Sequence, residues 1–263
     1  MLLMLAALQW WPLPERLDNT PYATLMLDRH GRLLDARIAE DQQWRFVPVA
    51  QLPDKYEQAV LLFEDKRFYR HPGIDPLAIA RAMRLNLEAG RVVSGGSTLT
   101  MQLARLLRDD PPRTLTEKAC EALLALQLEW HFSKPEILVH YASWAPFGGN
   151  IVGLRAASWR YFGREPRALS WAEAALLAVL PNSPSLIHPG RNRERLLAKR
   201  DALLQQLHRQ GSMADADLRL ALMEPLPAAP RPLPGLAPHL LNTLSKTSTG
   251  RLLTTTLDAD LQR

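Results

Sequence analysis

Residues 119–128 read ACEALLALQL, and eight of the ten are apolar. A helix apolar on all sides needs other helices around it, so this stretch predicts an enclosed helical core. It also carries Glu121. A buried carboxylate is costly unless it is paired or used. Lys118, three residues earlier, lies one helical turn away and can partner it. An internal salt bridge with no chemical role and a working carboxylate are both compatible with this spacing.

The remaining pattern is mostly helical. A helix is expected over 54–70. Asp75–Pro76 is an N-cap followed by proline at the first helical position, and Gly90 supplies the stop. Ser97 or Thr98 can cap a helix whose Leu99, Leu103, Leu106 and Leu107 form one stripe. Thr114-x-x-Glu117 is a capping box that opens a long helix. Further helices are predicted at 134–143, 153–162, 170–180, 191–210 and 214–222. Before them, TLMLDRHGRLLDARI (24–38) has two strand-like runs around Arg29–His30–Gly31, a hairpin signal, and QQWRFVPV (42–49) is extended.

The ends differ from the middle. MLLMLAALQWWPLP begins with eleven residues that are apolar apart from Gln9. As a helix they rise only about 16 Å, roughly half a bilayer core, and a basic leader is absent. We read 1–14 as the outer end of a membrane anchor whose beginning is missing, with Trp10 and Trp11 at interface depth. From 224, EPLPAAPRPLPGLAP reads as a stiff extended connector. The tail GRLLTTTLDADLQR looks like a strand left without its sheet. The expected organisation is a β-hairpin element over 20–50, a mainly α domain over 51–223, a Pro-rich linker over 224–249 and the stub of another domain over 250–263.

Composition excludes some chemistry. Cys120 is the only cysteine, so an internal disulfide or a cysteine metal cluster is ruled out. The seven histidines show no zinc spacing. Ser-x-x-Lys is absent, and with it a penicillin-sensitive serine acyltransferase site. G-x-x-x-x-G-K-[ST] is absent too. Asp215-Ala-Asp217 and Asp258-Ala-Asp260 are read as helix-surface or cap residues. A net charge of +5 and a pI near 9.6 favour anionic partners.

Two constellations remain. In FEDKRFYRHPG (63–73), Glu64 follows the apolar run Ala59–Phe63, where a carboxylate is either solvated and idle or held where its proton affinity matters. In VVSGGSTLTMQLAR (92–105), two glycines free the backbone, Ser97 and Thr98 open a helix, and Gln102 and Arg105 come one and two turns later; the stretch fits an anion site at the helix N-terminus and equally a glycine turn into an ordinary capped helix. The segment 76–89 mixes Leu77, Ile79, Met83, Leu85 and Leu87 with Arg81 and Arg84, and Arg91 lies just beyond. It suits a helix lying on a membrane surface.

Taken together these stretches resemble the peptidoglycan glycosyltransferase domain of class A penicillin-binding proteins, glycosyltransferase family 51. EDKRFYRHPGID (64–75) resembles its first motif, E-D-x-x-F-x-x-H-x-G. GGSTLTMQLAR (95–105) resembles its second, G-x-S-T-x-x-Q-x-x-K, with Arg105 in place of lysine. EKACEALLALQLEWHFSKPEILVHYASWAPFG (117–148) covers the third and fourth. GLRAASWRYFGREPRALSWAEAALLAVLPNSPSLIHP (153–189) fits the fifth and the family's stretch C-terminal to it.

The resemblance implies a lysozyme-like helical fold and an enzyme that polymerises lipid II at the periplasmic face of the bacterial inner membrane, in cell-wall biogenesis and the maintenance of cell shape. The acceptor GlcNAc 4-hydroxyl attacks C1 of the donor MurNAc, and polyprenyl pyrophosphate leaves. Glu64 and Glu121 fall on the catalytic positions, Glu64 as general base. Asp65, Phe68, His71, Gly96, Ser97, Thr98, Gln102, Arg105 and Lys118 fall on the substrate-binding ones. Glu121 would orient the cations or hold a divalent metal, Mg²⁺ or Mn²⁺. The implied partners are lipid II, the growing glycan strand, the membrane surface and other wall-synthesis proteins, with no nucleic acid. Two departures stand out. Glu117–Lys118 replaces the usual Arg-Lys, turning one phosphate-facing cation into an anion. Tyr141-Ala-Ser replaces Tyr-Leu-Asn. A muramidase-like hydrolase and a catalytically silent lipid II-binding scaffold are the rival readings.

Overall fold

The computed structural model describes residues 12–17, 19–112, 114–182, 192–246 and 250–262. Among them helices dominate, as the sequence pattern predicts. Residues 1–11, most of the expected anchor remnant, lie outside the described residues, as do 183–191. No helix of the described residues is long and apolar enough to cross a membrane. The chain divides into two compact units, residues 1–19 with 61–144 and residues 20–60 with 145–263.

The first unit carries the two constellations of the sequence. Helix α1 (Asp54–Glu64) stops at Glu64 rather than running to 70, and Phe68–Arg70 form a single 3₁₀ turn instead. The chain turns there because Asp65, the residue after the helix, binds two other segments. Helix α2 (Pro76–Ala89) is capped at its start by the Asp75 carboxylate, which accepts from the backbone N–H groups of Leu77 and Ala78. It ends at Gly90, which takes a left-handed conformation (φ 62°) that glycine adopts without steric cost. Helix α3 (Leu99–Leu107) packs against both α4 (Leu115–His131) and α5 (Lys134–Trp144).

Two expectations are corrected in α4. The helix is not enclosed on all sides: Ala119, Cys120 and Leu123 are exposed, while Glu121, Ala125 and Leu128 are buried. The capping box is half made. Thr114 Oγ1 accepts from the Glu117 N–H, but the Glu117 carboxylate turns to Arg108 at 2.6 Å.

The helix that is buried throughout lies in the second unit. In α7 (Trp171–Val179), Ala172 to Val179 are all buried. It comes after α6 (Leu154–Phe162) and packs against α8 (Arg193–Arg209) and α9 (Asp215–Met223). Ser170 and Glu173 close a complete capping box at its start.

Strands β1 (Thr24–Leu27) and β2 (Leu33–Arg37) form the predicted hairpin, antiparallel with Thr24 opposite Arg37. Short strands β3 (Trp44–Arg45) and β4 (Ile151–Val152) pair in parallel. The tail strand is not left without a sheet: β5 (Leu252–Thr254) pairs in parallel with β1, giving the order β2-β1-β5. Nor does the Pro-rich stretch lead only into extended chain. It gives way to α10 (Pro238–Leu244), whose Leu241 joins Met26, Leu34 and Ala259 in one apolar cluster.

Arg32 locks the tail to the hairpin. Its guanidinium donates to Asp28 at 2.8 Å, to Asp258 at 3.1 Å and to Asp260 at 2.8 Å. The Asp258-Ala-Asp260 pair is therefore a set of ion-pair partners. Burial would raise the proton affinity of Asp28, but donors from Arg32, Ala259 and His30 outweigh it and hold the carboxyl well below the usual carboxylate range. Because the folded value is depressed, the stabilisation is complete above the unfolded pKa of about 3.9 and is lost as pH falls. Arg32→Ala is therefore expected to lower the thermal midpoint at neutral pH. It should also shallow the decline in midpoint between about pH 5 and about pH 2, which scanning calorimetry across a pH series reads directly.

Candidate active site

Glu64 is the last residue of α1 and is half-buried. Its Oε2 accepts from Gln102 Nε2 at 2.8 Å. Gln102 stands on α3 one turn from the helix start, and its Oε1 accepts from the buried Tyr141 hydroxyl at 3.5 Å. The carboxylate is thus fixed by an amide that a second helix steadies.

Asp65 sets this arrangement. Its carboxylate accepts from His71 Nε2 at 3.0 Å and from the Leu99 N–H at 3.0 Å, tying the end of α1 to the start of α3. The Gly73 N–H donates to His71 Nδ1 at 3.2 Å, which places the ring proton on Nε2, facing Asp65. Thr98 Oγ1 donates to the Gly73 carbonyl at 2.5 Å and accepts from the Met101 N–H. Phe68 is enclosed, with its ring edge-on to His71 and the Lys134 amine 4.2 Å from its centroid.

Of the residues the resemblance places at the substrate, Asp65, Phe68 and His71 hold the loop from behind. The Thr98 hydroxyl is bonded within the protein while the residue lines the cavity beside Glu64.

A cavity of about 370 Å³ opens beside Glu64. It is lined by Glu64 and Asp65, by Gly95, Ser97 and Thr98 of the glycine loop, and by Arg81 of α2. Arg81 and Lys66 are exposed cations on its wall. Sequence reasoning passed over both for this cavity, although Leu77, Ala78 and Arg81 share one face of α2 by helical spacing. Arg67 also lines it, but its guanidinium is held by Asp75.

A second cluster surrounds Ser97. Lys118 Nζ donates to Ser97 Oγ and, at 2.7 Å, to Glu121 Oε2. The other Glu121 oxygen accepts from Arg105 at 3.1 Å. Glu121 is 1% exposed, so the pairing with Lys118 that the sequence suggests is present and a second cation joins it. Arg105 also donates to Asp110 and the Pro111 carbonyl. Burial alone would lower its pKa, but Asp110 and Glu121 together raise it above the ordinary guanidinium value. Lys118 keeps 44% of its side chain exposed, against 17% for Arg105. It is the accessible cation of the pair.

Glu117 does not present a bare anion, because Arg108 pairs with it. Nor do the residues here fit a divalent metal on Glu121. Both its oxygens already face cations, and an added ion would sit against Lys118 and Arg105. Asp65, His71 and Asp75 do place ligand-type atoms within 4.8 Å of one another, but each is committed to a cap, a turn or Arg67.

A helical unit that sets a braced carboxylate beside a hydroxyl and a half-exposed lysine has the parts of a group-transfer site on a charged leaving group. Residues 30–208 match the sequence model of the family described as Transglycosylase, and this chain belongs to that family. It is 44% identical over 254 residues to penicillin-binding protein 1C of Escherichia coli (strain K12), covering 96% of this chain and 33% of that protein. It is 37% identical over 217 residues to penicillin-binding protein 1A of Aquifex aeolicus (strain VF5), covering 82% and 30%. A 2.6 Å crystal structure of penicillin-binding protein 1A from Haemophilus influenzae matches with a TM-score of 0.44 at 16% identity, over 92% of this chain and 28% of that one. The chain spans about a third of the length of the curated relatives it matches.

Gly73 is the tightest point of the loop. It takes φ +92°, and an added Cβ would lie 2.8 Å from the Ala125 carbonyl oxygen of α4. Gly73→Ala is expected to cost about 1–3 kcal/mol through strain and displaced backbone. Gly90→Ala, at positive φ but in open space, should cost about 1 kcal/mol. Urea titration of the two variants checks the order.

Proposed function

We propose that this chain is a peptidoglycan glycosyltransferase that joins lipid II units, with Glu64 as the general base. The observation that carries the reading is the position of Glu64. Its carboxylate is half-buried, fixed by Gln102 at 2.8 Å, and faces the same cavity as Ser97, whose hydroxyl accepts from Lys118.

The chemistry grows out of those groups. A sugar hydroxyl is a poor nucleophile at neutral pH, so its proton must leave as the new bond forms. Glu64 Oε takes the proton of the acceptor 4-hydroxyl. The oxygen attacks the donor C1, and the C1–O bond to the diphosphate breaks with its electron pair going to the phosphate oxygen. That developing charge meets Lys118 and the Ser97 hydroxyl, which is free to donate because its oxygen accepts from Lys118. Glu121 acts through Lys118 and Arg105 as a positioning residue.

The reading extends to the membrane. Leu77, Met83 and Leu87 of α2 are exposed, as are Val92 and Val93 just after it, with Arg81, Arg84 and Arg91 among them. Apolar side chains interleaved with arginines suit an interface of acyl chains and phosphates, which supports work at a bilayer surface on a lipid-linked substrate. The Arg108–Glu117 pair neutralises the acid at 117, which supports an active site over a silent scaffold.

Glu64→Gln is expected to lower the rate of glycan polymer formation from lipid II by about 10²–10⁴-fold with an unchanged melting temperature. Gln102→Ala should fall between that variant and the wild type. Gel analysis of labelled lipid II products checks both, and a Glu64→Gln protein with wild-type turnover would falsify the assignment. Release of soluble fragments from preformed sacculi would favour a hydrolase instead.

A further inference from the structure

The loop that follows Glu64 has a set of supports beyond Asp65. The Lys134 amine donates to the His71 carbonyl at 2.6 Å and to Glu129 Oε1 at 2.7 Å, and it stands 4.2 Å from the Phe68 centroid. An ammonium has three N–H groups. Two meet oxygens and the aromatic face takes the remaining side of the cation, so Lys134 has no donor left for a substrate. Its position also runs against local preference. Lys134 is the first residue of α5, where the helix dipole disfavours a cation. Its tertiary contacts, rather than its own helix, account for the residue.

Glu129, whose side chain is 9% exposed, carries the contact across. Its Oε1 also accepts from Thr100 Oγ1 at 2.6 Å. Thr100 is fully buried on α3, the helix that bears Gln102. The Glu129 stem packs against the loop as well: a Cβ on Gly73 would come within 3.0 Å of its Cγ. One carboxylate oxygen thereby joins two elements. Lys134 reaches the loop after Glu64, at Phe68 and His71, and Thr100 reaches the helix whose Gln102 donates to Glu64 at 2.8 Å. Asp65 makes the other tie between that loop and α3, at the Leu99 N–H. A single tie leaves a hinge, whereas a second tie at different points of both elements fixes the angle between them.

We propose that Lys134, with Glu129 and Thr100, forms a set of positioning residues for the general base, holding the loop of Glu64 at a fixed angle to the helix of Gln102. The inference rests on the glycosyltransferase reading of the site and adds to it residues that touch no substrate atom. The set keeps the Gln102–Glu64 bond aligned while the acceptor proton is transferred. Its loss should therefore lower kcat and spare KM.

Lys134→Met keeps an unbranched stem and removes the charge. It is expected to lower kcat for polymer formation about 10–100-fold, with KM for lipid II within about twofold of the wild type. It also leaves Glu129 without its cation, so the melting temperature should fall. The double variant Lys134→Met/Glu129→Gln separates the two effects. With the unpaired charge gone, its melting temperature should return close to the wild-type value, while kcat stays low because Lys134 no longer holds the His71 carbonyl. Adding Gln102→Ala to Lys134→Met should lower kcat by less than the same change does in the wild type, since both loosen one contact. A double variant that regains wild-type kcat together with its melting temperature, a loss carried by KM, or strictly multiplicative effects at 134 and 102 overturn the proposal. Hydrogen exchange of the 65–73 amides is read without turnover. Faster exchange in Lys134→Met, in a protein that makes no polymer, keeps the second tie and sinks the glycosyltransferase reading. Unchanged exchange in a protein that does make polymer sinks the tie and leaves Glu64 as base.

Discussion

The arrangement of the first unit depends on the Asp65 carboxylate. It accepts from the backbone of Leu99 and from His71 across sequence separations of 34 and 6 residues. One buried side chain thereby ends α1, sets the loop after it and anchors the start of α3. Its backbone neighbour is Glu64, so whatever positions Asp65 positions Glu64. Buried charge-assisted bonds of this type are worth more than neutral ones and are expensive to leave half-made. The carboxylate assigned to proton transfer is accordingly not the one that holds the structure. On the proposed reading the two duties fall to adjacent acids, with Glu64 partly open and Asp65 closed.

The cations divide in a similar way. Arg105 and Lys118 both bind Glu121, yet Asp110 and the Pro111 carbonyl also hold the arginine. Asp109 and Asp110 both take positive φ, at 63° and 49°, an uncommon conformation for residues with a Cβ. The turn they form brings Asp110 to Arg105. On the proposed reading, Arg105 stays fixed against Glu121, while Lys118 is the group able to move toward a phosphate. A point charge on a flexible stem suits that second role.

Much of this was legible in the sequence, for local reasons. Asp75–Pro76, Gly90, Thr98 and Thr114 act within one turn of their own helices, so their chemistry is visible in a short window. The Lys118–Glu121 pair is likewise a matter of three residues. What could not be read depends on distant segments. Nothing local announces that Leu252–Thr254 pairs with β1, that Arg108 reaches Glu117 instead of leaving the capping box to close, or that Lys134 stacks on Phe68 and donates to the His71 carbonyl. The same limit explains the error at α4. Composition showed an apolar run, but which of its residues are covered is decided by the packing of distant helices, and Ala119, Cys120 and Leu123 stay exposed.

The 90–97 loop brings two glycines up to Ser97. Gly95 has open space around an added Cβ, whereas Gly96 sits against the α2 backbone. The two positions therefore differ in kind: the first has room for a side chain, the second does not. If residue 96 carried a side chain, α2 would have to withdraw from the loop that leads to Ser97, because a Cβ there would lie 2.9 Å from Ile79 Cα. The absence of a single methyl group keeps the loop against the helix, so the placing of Ser97 depends on this residue as well as on the charged ones around it.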